Sequence, residues 1–385
     1  MLFASFRQSR ADLTARVAVI VTLVAALFSV SACRGFVGVP DASAPPAPAR
    51  RSEPSATPLT RWPIKTVEPV DLWLHAFALL LDDASTPPQF RRGYRDSLTV
   101  VKNRANVLTT LDTTRAMLAK RLLATPSYVQ AQLLAFEFDS WFALRTAAER
   151  FVLAEGDDRK VSDRAPVEHF AQFARFFPTA ADREWLSIFV IGVQDEQVRF
   201  FNAEHTRLVR TRATTITAVD SLWQRTYRAR FDRFLASTGQ VNGDVLLSIP
   251  IGGEGRVGVG RERQRMIAVP FPARAEDARQ VILVLAHELS AGVVSRVLLG
   301  SGATSIQRSV AISRAISTAQ VRAGAMLLER VAPELVEAYM QFYLTQSGVA
   351  VLAPALDATF VRIFDIPVAA RDGMRQQIDI AVGTR

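Results

Sequence analysis

Residues 279 to 299, RQVILVLAHELSAGVVSRVLL, are the most apolar helical run beyond the N-terminal leader, and they carry His287 and Glu288 side by side. Apolar residues on nearly every face predict a helix enclosed by other elements rather than one lying on a surface. Wrapping such a helix takes a sizeable body. The chain has one: 385 residues, 49% hydrophobic and 22% charged, enough for one large globular domain or two ordinary ones. In dry surroundings an imidazole and a carboxylate are costly unless paired or ligating, so this dipeptide is the first place to look for chemistry. The plainer alternative is an amphipathic helix with His287 and Glu288 on its polar edge.

The N-terminus reads as an address. Arg7, Arg10 and Arg16 precede the apolar run 17 to 30, VAVIVTLVAALFSV, which meets Ser31, Ala32 and Cys33, the layout of a secretory signal. Val30-Ser31-Ala32-Cys33 resembles the lipobox of bacterial lipoproteins. That resemblance implies a signal peptide over residues 1–32, lipidation of Cys33 and attachment to membrane lipid through its acyl chains. Arg34, where aspartate often marks inner-membrane retention, implies the outer membrane of the bacterial cell envelope. Cys33 is the chain's only cysteine, so no internal disulfide competes for it. An uncleaved anchor is the alternative, but the run falls short of the roughly 20 apolar residues that a spanning helix needs. Residues 33–64 are rich in Pro, Ala and Ser without a periodic face and predict an extended tether. The net charge of +9 is almost all arginine, scattered among acids, and no nucleic-acid partner is expected.

From 65 to 240 helical spacing dominates. Helices are predicted over 71–81, 96–106, 108–123, 127–153 and 166–177, then over a long region from 180 to 237 interrupted near 211–217. His75, among large hydrophobes, is expected to be a satisfied core histidine, and Asp195, Glu196, Glu204 and His205 a solvated face. From 241 to 385 the period changes. Residues 245–251, 256–260 and 266–271 read as strands of a small antiparallel β-element, with helices over 306–329, 333–344, 350–366 and 368–380 after the apolar run. Gly253-x-Gly255-x-x-Gly258 matches the dinucleotide fingerprint as a string, yet no helix start follows it, and a β-hairpin tip is the simpler account. The fold class is α+β, predominantly α-helical.

Strands leading into an apolar helix with His287-Glu288 resemble the cleft-building order of zincin metallopeptidases of the glutamate-ligand type. In their H-E-x-x-H motif the histidines at i and i+4 share a helix face and hold zinc, while the glutamate polarises water. Here the second histidine is Ala291. The resemblance makes His287 a metal ligand and Glu288 a general base only if the protein is active. It also makes 266–269 the strand beside the cleft. The third ligand would be a carboxylate on a later helix; since 289–328 holds no Asp, Glu, His or Cys, Glu329 is the first candidate and Glu334 the second. Tyr339 and Tyr343 share a face and are expected in packing. No G-x-S-x-G occurs, and no Ser stands three residues before a lysine.

The expectation is therefore a degenerate, non-catalytic zincin-like domain that needs no cofactor and binds peptide or an envelope protein partner. One alternative is an active zinc metallopeptidase with an atypical ligand set. The other is a structural lipoprotein with no peptidase ancestry.

Overall fold

A proline in its first turn and acidic Glu68 and Asp71 at its positive end start helix α1 (Glu68–Leu80), which is buried from Pro69 through Leu80. Around it stand α2 (Tyr94–Arg104) and α3 (Thr110–Ala124), the latter opened by a Thr109/Asp112 capping box. The computed structural model describes residues 62–81, 87–161, 168–299, 310–350 and 353–383. The expected leader, Cys33 and most of the tether lie outside the described residues.

The single helix predicted over 127–153 is divided. It comprises α4 (Pro126–Gln130), a 3-10 turn (Ala131–Glu137) and α5 (Trp141–Leu153). Phe138 is extended, and Ser140 accepts a hydrogen bond from the Ala143 amide, so a fresh N-cap outcompetes the continuous apolar pattern. After α6 (Glu168–Phe176), a Thr179/Asp182 capping box starts α7 (Ala180–Glu196). A π turn at Gln197–Phe201 joins α7 to α8 (Asn202–Thr211), and a second at Trp223–Tyr227 joins α9 (Ala213–Leu222) to α10 (Arg228–Ser237).

Four strands, β1 (Ile64–Lys65), β2 (Gly243–Ser248), β3 (Arg256–Val259) and β4 (Arg265–Pro270), form one sheet in the order β1-β2-β4-β3. The sheet is mixed rather than antiparallel throughout. β2 runs parallel to both β1 and β4, and only β3–β4 is a hairpin. The cause lies after β2. Instead of turning back, residues 250–254 pair with 88–91: Arg91 N donates to Pro250 O, Gly252 N to Gln89 O and Glu254 N to Pro88 O, at 2.8 to 3.0 Å. That detour carries the chain past β4 before β3 begins.

The apolar run is α11 (Arg279–Leu299), entered through a 3-10 turn at Ala275–Ala278. It packs on β4, on α12 (Val310–Val331) and on α15 (Val368–Val382), while α13 (Val336–Gln346) packs on α12 and α14 (Leu356–Ile363) on α13. Five consecutive residues, Val281 to Leu285, are at most 3% exposed, so this half of the helix is enclosed on every side. Among the described residues it is the one helix long and apolar enough to cross a membrane, and packing inside the fold accounts for that composition. The described residues gather into one compact unit.

Candidate functional site

His287 and Glu288 sit mid-helix on α11, 0% and 4% exposed. Their side chains bond to each other, with His287 Nδ1 2.9 Å from Glu288 Oε1. The same carboxylate oxygen accepts from the Gly255 amide at 2.8 Å, where the chain enters β3. From α12, Gln320 Nε2 reaches the His287 carbonyl at 3.2 Å, Glu288 Oε2 at 3.3 Å and His287 Nδ1 at 3.2 Å. Nδ1 cannot donate to the carboxylate and accept from the amide at once. Glu288 only accepts, so Nδ1 carries the proton, and the Gln320 amide serves the two oxygens. Turning that amide over would set its oxygen against both acceptors.

Burial pushes the Glu288 carboxyl up. The adjacent His287, the Arg256 charge and the Gly255 amide outweigh burial and hold it below its ordinary value. The His287 ring stacks on Tyr343 of α13, centroids 5.3 Å apart, and Tyr343 Oη donates to Gly253 O at 3.2 Å. Tyr339 Oη donates to Val321 O at 3.0 Å. Burial raises both tyrosines well above their ordinary values, so each is a neutral hydroxyl bonded to the backbone.

A zincin-type centre needs three protein ligands and an open position. The donors here do not fit. His287 Nε2 is buried without a hydrogen-bond partner and is the only atom of the pair free for a metal. Ala291 contributes no donor, and the following helix offers the neutral amide of Gln320. Among the described residues no group of three or more His, Cys, Asp or Glu could hold a metal ion.

Glu329 does not join His287. It lies nine residues beyond Gln320 on α12, about 13 Å along the axis and half a turn round. Its carboxylate is 3.9 Å from Arg375 and 4.0 Å from Arg330. Glu334 is exposed and paired with Arg230 of α10. Residues 266–269 do flank α11, but within β4, which is interior to the sheet. The edge strand next to it is β3, and the 3-10 turn at Ala131–Glu137 lies along that strand. Arg256 Nε donates to Gln132 Oε1 at 3.3 Å, and a Cβ on Gly258 would collide with the Phe136 ring. The glycine string is therefore a set of close approaches. A Cβ at Gly255 would stand 2.7 Å from Ala268 O and 2.8 Å from Glu288 Cγ.

Sequence reasoning missed Gln320, because only ionisable ligands were sought on the following helix. It also misjudged a second buried group. His75 is satisfied as expected, bonded to Tyr94 Oη at 2.8 Å and Glu196 Oε1 at 3.0 Å. Glu196, expected in solvent, is fully buried and accepts from Lys102 Nζ at 2.6 Å and Thr109 Oγ1 at 2.5 Å. His205 is buried too, with Nε2 3.0 Å from Asp71 Oδ2, although the angle leaves both atoms without a hydrogen bond. The π turn between Glu196 and His205 explains the error. Nine α-helical residues put two side chains on opposite faces, and one bulged residue rotates them roughly 100° towards each other. Asp71 also accepts from Ser248 Oγ at 2.5 Å and Ile249 N at 3.0 Å, tying α1 to the end of β2.

Comparison with protein-family models, with curated proteins and with solved structures finds no match to this chain.

Proposed function

We propose that this protein is a lipid-anchored lipoprotein of the bacterial envelope whose zincin-like region is non-catalytic and serves binding to a protein or peptide partner. The observation that carries the non-catalytic part is the bonding of Gln320. The neutral Gln320 amide donates to Glu288, whose other oxygen is held by Gly255. With three of its about four acceptor sites taken by His287, Gly255 and Gln320, this carboxylate is held as a structural acceptor rather than presented to a substrate water. Sealed side chains at the pair, and a β3 edge already covered by residues 131–137, favour partner contact on the outer surface over an added strand in the cleft. The address rests on the lipobox resemblance at Cys33.

Metal analysis and peptide hydrolysis test this together. The purified protein is expected to carry no stoichiometric zinc and to leave casein intact. Zinc in the unaltered protein that is lost in His287→Ala would overturn the non-catalytic proposal. Palmitate labelling that persists in Cys33→Ala would refute the lipid address.

The second reading, an active zinc peptidase, is favoured by one observation, the unpartnered His287 Nε2. It requires chelator-sensitive hydrolysis that is abolished by Glu288→Gln.

A further inference from the structure

The extended Phe138 and the fresh N-cap at Ser140 break the chain between the 3-10 turn and α5, and α6 packs back on α5. Between these three pieces lies a cavity of about 260 Å³. Its inner wall is apolar: Phe138 and Phe170 are 6% and 8% exposed, and Ala143 and Ala147 of α5 line the same space. Phe142 also lines it, yet is 67% exposed, a large ring left to water at the mouth. None of the lining residues comes from α11 or α12, so the cavity is separate from the His287–Glu288 pair.

An imidazole interrupts the apolar wall. His169 of α6 lines the cavity, its ring tilted against Phe138 with centroids 4.4 Å apart. Its Nδ1 is closed to solvent without a hydrogen bond, and Glu137 Oε2 stands 3.8 Å from it. Gln172 Nε2 donates to that same oxygen and holds it in place. A carboxylate only accepts, and its charge favours the tautomer with the proton on Nδ1. Nε2, on the other side of the ring, is then an acceptor, and it has no hydrogen bond among the described residues. It is the polar atom that His169 can offer to the cavity. The remaining charges stand at the rim: Asp139 and Arg261 are largely exposed and pair with each other at 2.8 Å, and Arg150 is exposed.

We propose that this cavity binds a small phenolic molecule, its single ring among Phe138, Phe142 and Phe170 and its hydroxyl donating to His169 Nε2. The volume falls below the roughly 300–1,000 Å³ of drug-sized sites, which suits one ring rather than two. An aromatic body takes the apolar wall and the exposed Phe142 out of water. A carboxylate or an ammonium would shed its hydration against the same rings, whereas a hydroxyl needs only the one acceptor that the wall presents.

Calorimetric titration of the full-length protein with phenol and with its methyl ether, anisole, tests the site. Phenol is expected to bind saturably, and anisole, which keeps the ring and lacks the donor, about tenfold more weakly. His169→Phe keeps a ring against Phe138 and removes the acceptor, so it too is expected to bind phenol about tenfold more weakly than the parent. Ala143→Phe, a change at an exposed position of α5, fills the space and is expected to abolish binding of both probes. The site is overturned if phenol does not saturate, if anisole binds as well as phenol, or if either variant binds phenol as the parent does. Should His169→Phe fail to fold, the anisole comparison and Ala143→Phe decide the outcome.

Discussion

The Gln320 amide nitrogen lies 3.2 Å from the His287 carbonyl oxygen, across the seam between α11 and α12. The same nitrogen reaches Glu288 Oε2, so one neutral side chain from the second helix supplies the donors that two buried acceptors need. A carboxylate at 320 would meet the Glu288 carboxylate with no donor between them.

Gln320→Glu is therefore expected to destabilise the fold in a pH-dependent way. Two carboxylates in contact cannot both ionise, so one acquires a folded-state value above its unfolded value near 4.3. The penalty is absent below that unfolded value and grows as the pH rises above it. Urea denaturation should show a loss on the order of 1–3 kcal/mol at pH 7.5 and a smaller one at pH 4.5. An equal loss at both would mean that the two carboxylates do not interact.

The helices were largely legible from spacing and caps because they are local. Residues 279 to 299 announced an enclosed helix, and the helix starts expected at 71, 108 and 180 lie close to those observed at Glu68, Thr110 and Ala180. What stayed hidden is non-local. The parallel pairing of Val245 with Ile267 depends on residues 250–254 bonding to 88–91, some 160 residues earlier, and no period in either segment encodes it. The two-residue strand β1 is too short for alternation to reveal. At the site, the His-Glu pair was visible as a dipeptide. Gln320 was not, since an amide in a buried stripe gains its meaning only from the partner that it faces.

Gly255→Ala tests how tightly the pair is held. The new methyl would press on Ala268 O and on the Glu288 side chain, both fixed by their own bonds, and overpacking of this kind costs roughly 1–3 kcal/mol. A lowered melting temperature with unchanged far-ultraviolet dichroism is expected. Full retention of stability would show that the β3 entry is looser than its geometry implies.

Acid should loosen the helical half through Glu196. Burial raises its carboxyl, but His75 and Lys102 outweigh that and bring it down to about 2. A depressed folded value contributes stability above the unfolded value, near 4.3, that is lost as the pH falls towards 2. The contribution is on the order of 3 kcal/mol. Glu196→Gln should flatten the stability profile between pH 5 and pH 2. A parallel profile in the variant would assign acid sensitivity to other carboxylates.

Tyr343→Phe separates packing from chemistry. The hydroxyl donates to Gly253 O, and the ring lies on His287, so the variant keeps the stack and leaves one buried carbonyl without its donor. That loss is expected to cost about 1–2 kcal/mol. Tyr343→Ala, which also removes the ring, should cost about 3–5 kcal/mol. In a non-catalytic protein both changes alter only the unfolding midpoint. If the parent instead hydrolyses a peptide and Tyr343→Phe slows that turnover far beyond its effect on stability, the hydroxyl acts on substrate and the committed bond to Gly253 must open during the reaction.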